Sequence, residues 1–112
     1  MKDELLKHLH DIREAVAAIK TFIAGKSFND YASDELLRSG VERKFEIIGE
    51  ALNRIQKDSP AILSRIRDYR DIISFRNILA HGYDSIEDQI VWEILEEDMD
   101  RLQEDVNAII AG

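Results

Sequence analysis

Val41-Glu42-Arg43-Lys44-Phe45-Glu46-Ile47-Ile48-Gly49-Glu50-Ala51-Leu52-Asn53-Arg54-Ile55 places Val41, Phe45, Ile48, Leu52 and Ile55 at steps of four and three. At about 3.6 residues per turn, such steps keep side chains on one side of an α-helix. Leu37 extends the series backwards, so a long helix is predicted from about Asp34 to Lys57. Gly49 in its middle costs about 1 kcal/mol relative to alanine, and its use would be to let another helix pack closely there.

The same period continues on both sides. Leu5, Leu9, Ile12, Val16, Ile19 and Ile23 form a seam over residues 4 to 24, and Gly25 follows as a C-terminal cap. Ser27-Phe28-Asn29-Asp30 has the Ser-x-x-acid form of a capping box and opens a short turn of helix. Ser59-Pro60 marks a third start, with serine as N-cap and proline first in the helix, followed by Ile62, Leu63 and Ile66. Asp68 and Asp71 form an acidic start for a helix carrying Ile72, Phe75, Ile78 and Leu79 and ending near Gly82. Ser85-x-x-Asp88 begins a last helix, with Ile90, Val91, Ile94, Leu95, Met99, Leu102, Val106 and Ile109 running almost to the end. The expected fold is all-α, an up-and-down bundle of four main helices plus a short one, with residues 1–112 as a single domain.

Composition narrows the function. The 112 residues are 45% hydrophobic and 34% charged, with five glycines and one proline, which favours helices and excludes a fibrous or disordered chain. A compact monomer of this size has a modest stability margin, which oligomerisation would raise. No cysteine is present, so disulfides, zinc fingers and thiol catalysis are excluded. No apolar run is long enough to span a bilayer and no signal-peptide pattern opens the chain, which predicts a cytoplasmic protein without a membrane partner. The net charge of −8 argues against a diffuse basic surface for nucleic acid. Arg65, Arg67, Arg70 and Arg76 nevertheless outnumber Asp68 and Asp71 over residues 60 to 83, a local +2 that would steer a polyanion there.

The chemistry gathers in Arg76-Asn77-Ile78-Leu79-Ala80-His81-Gly82-Tyr83. At about 100° per residue, Ile72, Ile78 and Leu79 fall within about 60° of Phe75 and form a core face. Arg76 and His81 lie on opposite flanks, and Ile73, Asn77 and Ala80 lie on the side away from the core. An apolar strip there implies a second surface, most economically a second copy, so that a homodimer would bring two Arg76, two His81 and two Tyr83 into one cleft.

Arg76-x4-His81 matches the Arg-x(4 to 6)-His signature of the HEPN superfamily, and Gly82-Tyr83 completes the Arg-x4-His-x-Tyr form of its HepT-like toxins. The resemblance also covers Arg43 to Leu52 and the lead-in Tyr69-Arg70-x-Ile72-Ile73-x-x-Arg76-Asn77, and so extends over nearly the whole chain. One departure is Tyr69, where many relatives carry tryptophan; the aromatic character is kept. The resemblance implies a HEPN-like fold and a metal-independent ribonuclease without cofactor, with Arg76 and His81 catalytic and Asn77 and Tyr83 supporting. It also implies a cognate minimal nucleotidyltransferase antitoxin that attaches AMP to Tyr83.

Cleavage of RNA without a metal needs a base for the 2′-hydroxyl, a cation for the phosphorane-like transition state and an acid for the 5′-oxygen. Histidine serves as either base or acid, and arginine holds two phosphate oxygens at once. One chain supplies one His81, and a dimer supplies the second. Near a helix C-terminus the imidazolium is favoured, which leans His81 towards acid or phosphate binder, and Asn77 four residues earlier is placed to orient it.

Plainer readings stand beside these. Arg76 as a surface ion-pair partner, His81 as a helix cap and Tyr83 as a packing aromatic would suit an arbitrary helix. Arg65, Arg67 and Arg70 either contact RNA phosphates or pair with the acidic helices. His8, His10, Asp11 and Glu14 share helix faces in pairs but lack the spacing of a di-iron bundle, and read as solvated surface rather than a metal site. Glu46 and Glu50, one turn apart, read by themselves as surface carboxylates, while the resemblance implies that the acidic residue before Ala51 approaches the active segment; the run Glu96-Glu97-Asp98 reads as a solvated helix face or, alternatively, as a dock for a basic partner surface. The alternative function is a non-catalytic module that binds a nucleotidyltransferase partner or a nucleotide.

Overall fold

A computed structural model describes residues 2–80 and 88–112, with the backbone alone over 75–80. The described residues form seven helices: α1 (Asp3–Ile23), α2 (Phe28–Ser33), α3 (Glu35–Asp58), α4 (Pro60–Leu63), α5 (Tyr69–Ala80), α6 (Asp88–Glu97) and α7 (Met99–Ala111). No strand occurs among them. The fold is an all-α, HEPN-like bundle.

The two longest helices form its frame. Residues 4–24 and 34–57 carry the apolar seams, and α1 and α3 pack along each other. Leu9, Ile12, Val16 and Ile19 of α1 and Val41, Phe45, Ile48, Leu52 and Ile55 of α3 are fully buried between them and their neighbours. Against this pair, α7 packs on α1, while α4 and α5 pack on α3. The short α2 bridges α3 and α6. Burying one such side chain contributes roughly 1.5–3 kcal/mol, so these seams supply most of the driving force for the bundle.

Helix boundaries follow local chemistry. Ser27 and Asp30 form the capping box reciprocally, with Asp30 N donating to Ser27 Oγ at 3.2 Å and Ser27 N to Asp30 Oδ2 at 2.9 Å. Asp34 closes α2 and opens α3, its carboxylate accepting from Leu37 N at 3.1 Å. Gly25, with φ of 72°, takes the left-handed position just after α1 that glycine adopts without strain.

Three expectations about elements are corrected. Ser59 stands before Pro60 as expected, but its side chain makes no capping bond; it also terminates α3, its N–H donating to Ile55 O at 2.7 Å, and α4 is a single turn. The last helix is two, separated at Asp98, whose carboxylate accepts from Arg101 Nη2 at 2.7 Å instead of capping α7. Ile90 is exposed because the buried stripe of α6 runs through Val91 and Leu95, about 100° away. Ser85, expected to open this region, lies outside the described residues.

Tyr31 shows where sequence order and packing part company. It is fully buried, its ring lying 5.6 Å from that of Trp92 at a 40° tilt. Its hydroxyl has no hydrogen-bond partner among the described residues. Burial pushes the Tyr31 hydroxyl up in pKa, and burial with the charge of Asp88 beside it pushes the Glu42 carboxyl up. A buried hydroxyl without a partner costs about 1–3 kcal/mol. Tyr31→Phe is therefore expected to leave stability unchanged or to raise it by about 1 kcal/mol in urea denaturation. A loss above that size would show that the hydroxyl has a partner in the native protein.

Candidate active site

The candidate segment is mounted on α5, whose residues Arg76 and Asn77 lie in its second half. The side chains of Arg76 and Asn77, and the whole of His81 and Tyr83, lie outside the described residues. What the structure gives is the platform that aims α5.

That platform has an apolar and an ionic part. Ile72 of α5 is buried, as are Leu63 and Ile66 just before the helix, and α5 packs on α3. Ile73, expected on the side away from the core, is instead half-buried against the core cluster. Only about 100° separates it from Ile72, so its methyls reach the same crevice, and the apolar strip inferred for that side shrinks accordingly.

The ionic part joins the entry of α5 to α7. Asp105 accepts from the Arg67 backbone N–H at 2.9 Å and from its guanidinium at 3.1 Å, and Glu104 accepts from Arg67 Nη2 at 2.9 Å. The Asp105 and Glu104 carboxylates push the Arg67 pKa up. One residue on, Asp68 adopts φ of 62°, a region aspartate tolerates, and its carbonyl accepts from Asp71 N and Ile72 N at 3.1 and 3.2 Å to start the helix. Its carboxylate lies 3.5 Å from Arg101, which also holds Asp98. The turn before α5 is thus clamped at two successive residues. Asp105 is only 14% exposed, but Arg67 is exposed, so water takes over part of what the carboxylate accepts when Asp105 is lost. Asp105→Ala is expected to lower stability by about 0.5–1 kcal/mol, measurable by denaturant unfolding; a change below about 0.3 kcal/mol would mean the clamp is ornamental.

The three arginines considered for RNA therefore differ. Arg67 is committed to Asp105 and Glu104. Arg70 lies over the Tyr69 ring, its guanidinium carbon 5.5 Å from the centroid, and donates to the Tyr69 hydroxyl at 3.2 Å. Arg65 is exposed and has no ion pair among the described residues. Beside them, a depression of about 380 Å³ opens at the start of α5 between Leu63, Ser64, Asp68 and Arg70.

Other candidate groups are placed as follows. Among the described residues no three side chains of the metal-ligating types cluster as a metal site. His8 is buried rather than solvated; His10 Nδ1 lies 2.8 Å from Arg13, and Asp11 pairs with Lys7. Glu46 pairs with Arg43 and Glu50 with Arg54, each at 3.3 Å. Sequence reasoning missed Asp105 and Arg101, because nothing local marks a charge whose partner lies 38 or 33 positions away. No described helix is long and apolar enough to cross a membrane.

An all-α bundle whose fifth helix carries Arg76 and leads into His81-Gly82-Tyr83 defines the class of HEPN-type helical proteins. The chain belongs to the Ribonuclease HepT-like family, whose model matches residues 12–109. It is 31% identical over 103 residues to "Probable ribonuclease HepT" of Thermococcus cleftensis, covering 92% of this chain and 93% of that one. It is 28% identical over 108 residues to "Putative RNase MJ1380" of Methanocaldococcus jannaschii, covering 96% and 98%. No solved structure matches at a significant level.

Proposed function

We propose that this protein is a metal-independent endoribonuclease, the toxin of a pair whose antitoxin is a minimal nucleotidyltransferase. The observation that carries the reading is the Arg76-x4-His81-x-Tyr83 motif inside a family match spanning residues 12–109. Residues 1–112 act as one domain in the cytoplasm, and two copies form a homodimer with Arg76, His81 and Asn77 of both at one cleft. A base takes the 2′-hydroxyl proton, the 2′-oxygen attacks phosphorus, and the 5′-oxygen leaves with a proton from the acid. The products are a 2′,3′-cyclic phosphate and a 5′-hydroxyl, with no cofactor consumed. Arg76 neutralises the charge that develops on the phosphoryl oxygens. RNA phosphates on either side meet Arg65 and Arg70 first, since Arg67 would have to leave Asp105 to bind.

Neutralisation acts on Tyr83. Its hydroxyl attacks the α-phosphorus of ATP held by the nucleotidyltransferase, pyrophosphate leaves, and AMP stays on the phenolic oxygen. The added phosphate charge competes for Arg76 and fills the cleft. Tyr83→Phe is expected to keep RNA cleavage while gaining no AMP mass when incubated with the cognate transferase and ATP; AMP found on another residue would overturn this assignment.

The deciding experiment incubates the purified protein, shown by mass to lack AMP, with total RNA in EDTA. Cleavage supports the nuclease. Its absence favours the second reading, a non-catalytic module that binds the nucleotidyltransferase or a nucleotide through the same segment. The net charge of −8 and the commitment of Arg67 to carboxylates are the observations on that side.

A further inference from the structure

Away from α5, a groove of about 240 Å³ runs between α1 and α3. Two ion pairs line it, Lys7–Asp11 at 3.1 Å on α1 and Arg54–Glu50 at 3.3 Å on α3, together with His8. His8 is 8% exposed and makes no hydrogen bond to another described residue. His8 lines the groove, so a surface that covers it would meet this imidazole.

The charge pattern says what that surface carries. Phe22 of α1 meets Gly40 of α3 near the turn that joins the two helices, the ring lying 3.4 Å from the position of a Cβ at Gly40. Both helices rise about 1.5 Å per residue, so counting away from that contact sets Lys7 level with the turn of Arg54, and Asp11 level with the turn of Glu50. Both ion pairs therefore point the same way. One end of the groove holds two cations and the other two carboxylates, so like charges oppose each other across it.

The complement of this pattern is the same pattern turned by half a revolution. A twofold axis through the groove lays the cationic end of one chain over the acidic end of another, and every pair formed is formed twice. The four charges also sum to zero, which lets two chains of net charge −8 approach here with less repulsion than at their acidic faces.

We propose that the His8 groove between α1 and α3 docks a second copy of this chain across a twofold axis, pairing Lys7 and Arg54 of each copy with Asp11 and Glu50 of the other. The contact is separate from the α5 cleft and does not rest on the nuclease reading. With both contacts present the assembly exceeds a dimer.

Two charge-reversed forms test it by sedimentation velocity in about 50 mM salt, where screening is weak. Lys7→Glu with Arg54→Glu makes the groove acidic, and Asp11→Lys with Glu50→Lys makes it basic. Each alone is expected to self-associate at least tenfold more weakly than the wild type, while an equimolar mixture recovers wild-type association. If a reversed form does not give the wild-type helical circular dichroism, Lys7→Gln with Arg54→Gln replaces it, with an expected loss of at least threefold. Unchanged association of the folded variants, or a mixture that recovers nothing, overturns the proposal, including the case in which the groove serves a different partner.

Discussion

Arg76→Ala or His81→Ala is expected to cut RNA cleavage in EDTA by about 10²–10⁴-fold while leaving the thermal unfolding midpoint within a few degrees of wild type. The size follows from the chemistry. A positioned proton donor or acceptor contributes about 10²–10⁴, and a cation aimed at the charge formed in the transition state contributes on the same scale. Arg76→Lys keeps the charge but loses the fork that grips two oxygens, so an intermediate loss is expected. Dimers of one wild-type and one His81→Ala chain extend the test, because full activity there would refute a mechanism in which one chain supplies the base and the other the acid. Cleavage that persists at the wild-type rate in both alanine variants would remove this segment from the reaction altogether.

Phe45→Ala is expected to be the most damaging single change to the fold, costing about 3–5 kcal/mol. Phe45 is fully buried at the centre of α3, the helix on which α1, α4 and α5 all pack. A domain of this size has about 5–15 kcal/mol in hand, so the loss consumes much of it and lowers the melting temperature by about 10 °C or more. Leu36→Ala is the matched control: Leu36 is 83% exposed, and its loss should stay within about 0.5 kcal/mol. Circular dichroism melts of the two variants separate the cases. Similar melts would mean that α3 is not the spine of the bundle. Because α5 rests on α3, cleavage by Phe45→Ala should also fall at temperatures where its helical signal is still intact.

Much of the fold was legible because helices are local objects. Steps of three and four placed Leu9, Ile12, Val16, Phe45, Ile48 and Leu52 on seams, and all six are fully buried. The Ser27 capping box, the Asp34 cap and the Gly25 terminus were equally readable, since their partners lie within three or four residues. Arg76-x4-His81-x-Tyr83 was readable for the same reason, as a short spacing within one segment.

What escaped the sequence depends on which helices meet. Arg67 faced an open choice between RNA and a carboxylate until α7 was packed beside the entry of α5, which put Asp105 and Glu104 on it. His8 read as solvated because a helix count gives a direction but not what lies there, and the approach of α3 buried it. Ile73 moved from the outer side to the crevice, and the last helix broke at Asp98, where Arg101 draws the carboxylate away from its helix cap. Periodicity and capping chemistry act over three or four residues, so the sequence by itself determined the helices, most of their ends, the buried seams and the motif. The partners of individual charges and the burial of polar groups are set by contacts between residues tens of positions apart, and those only the tertiary structure decided.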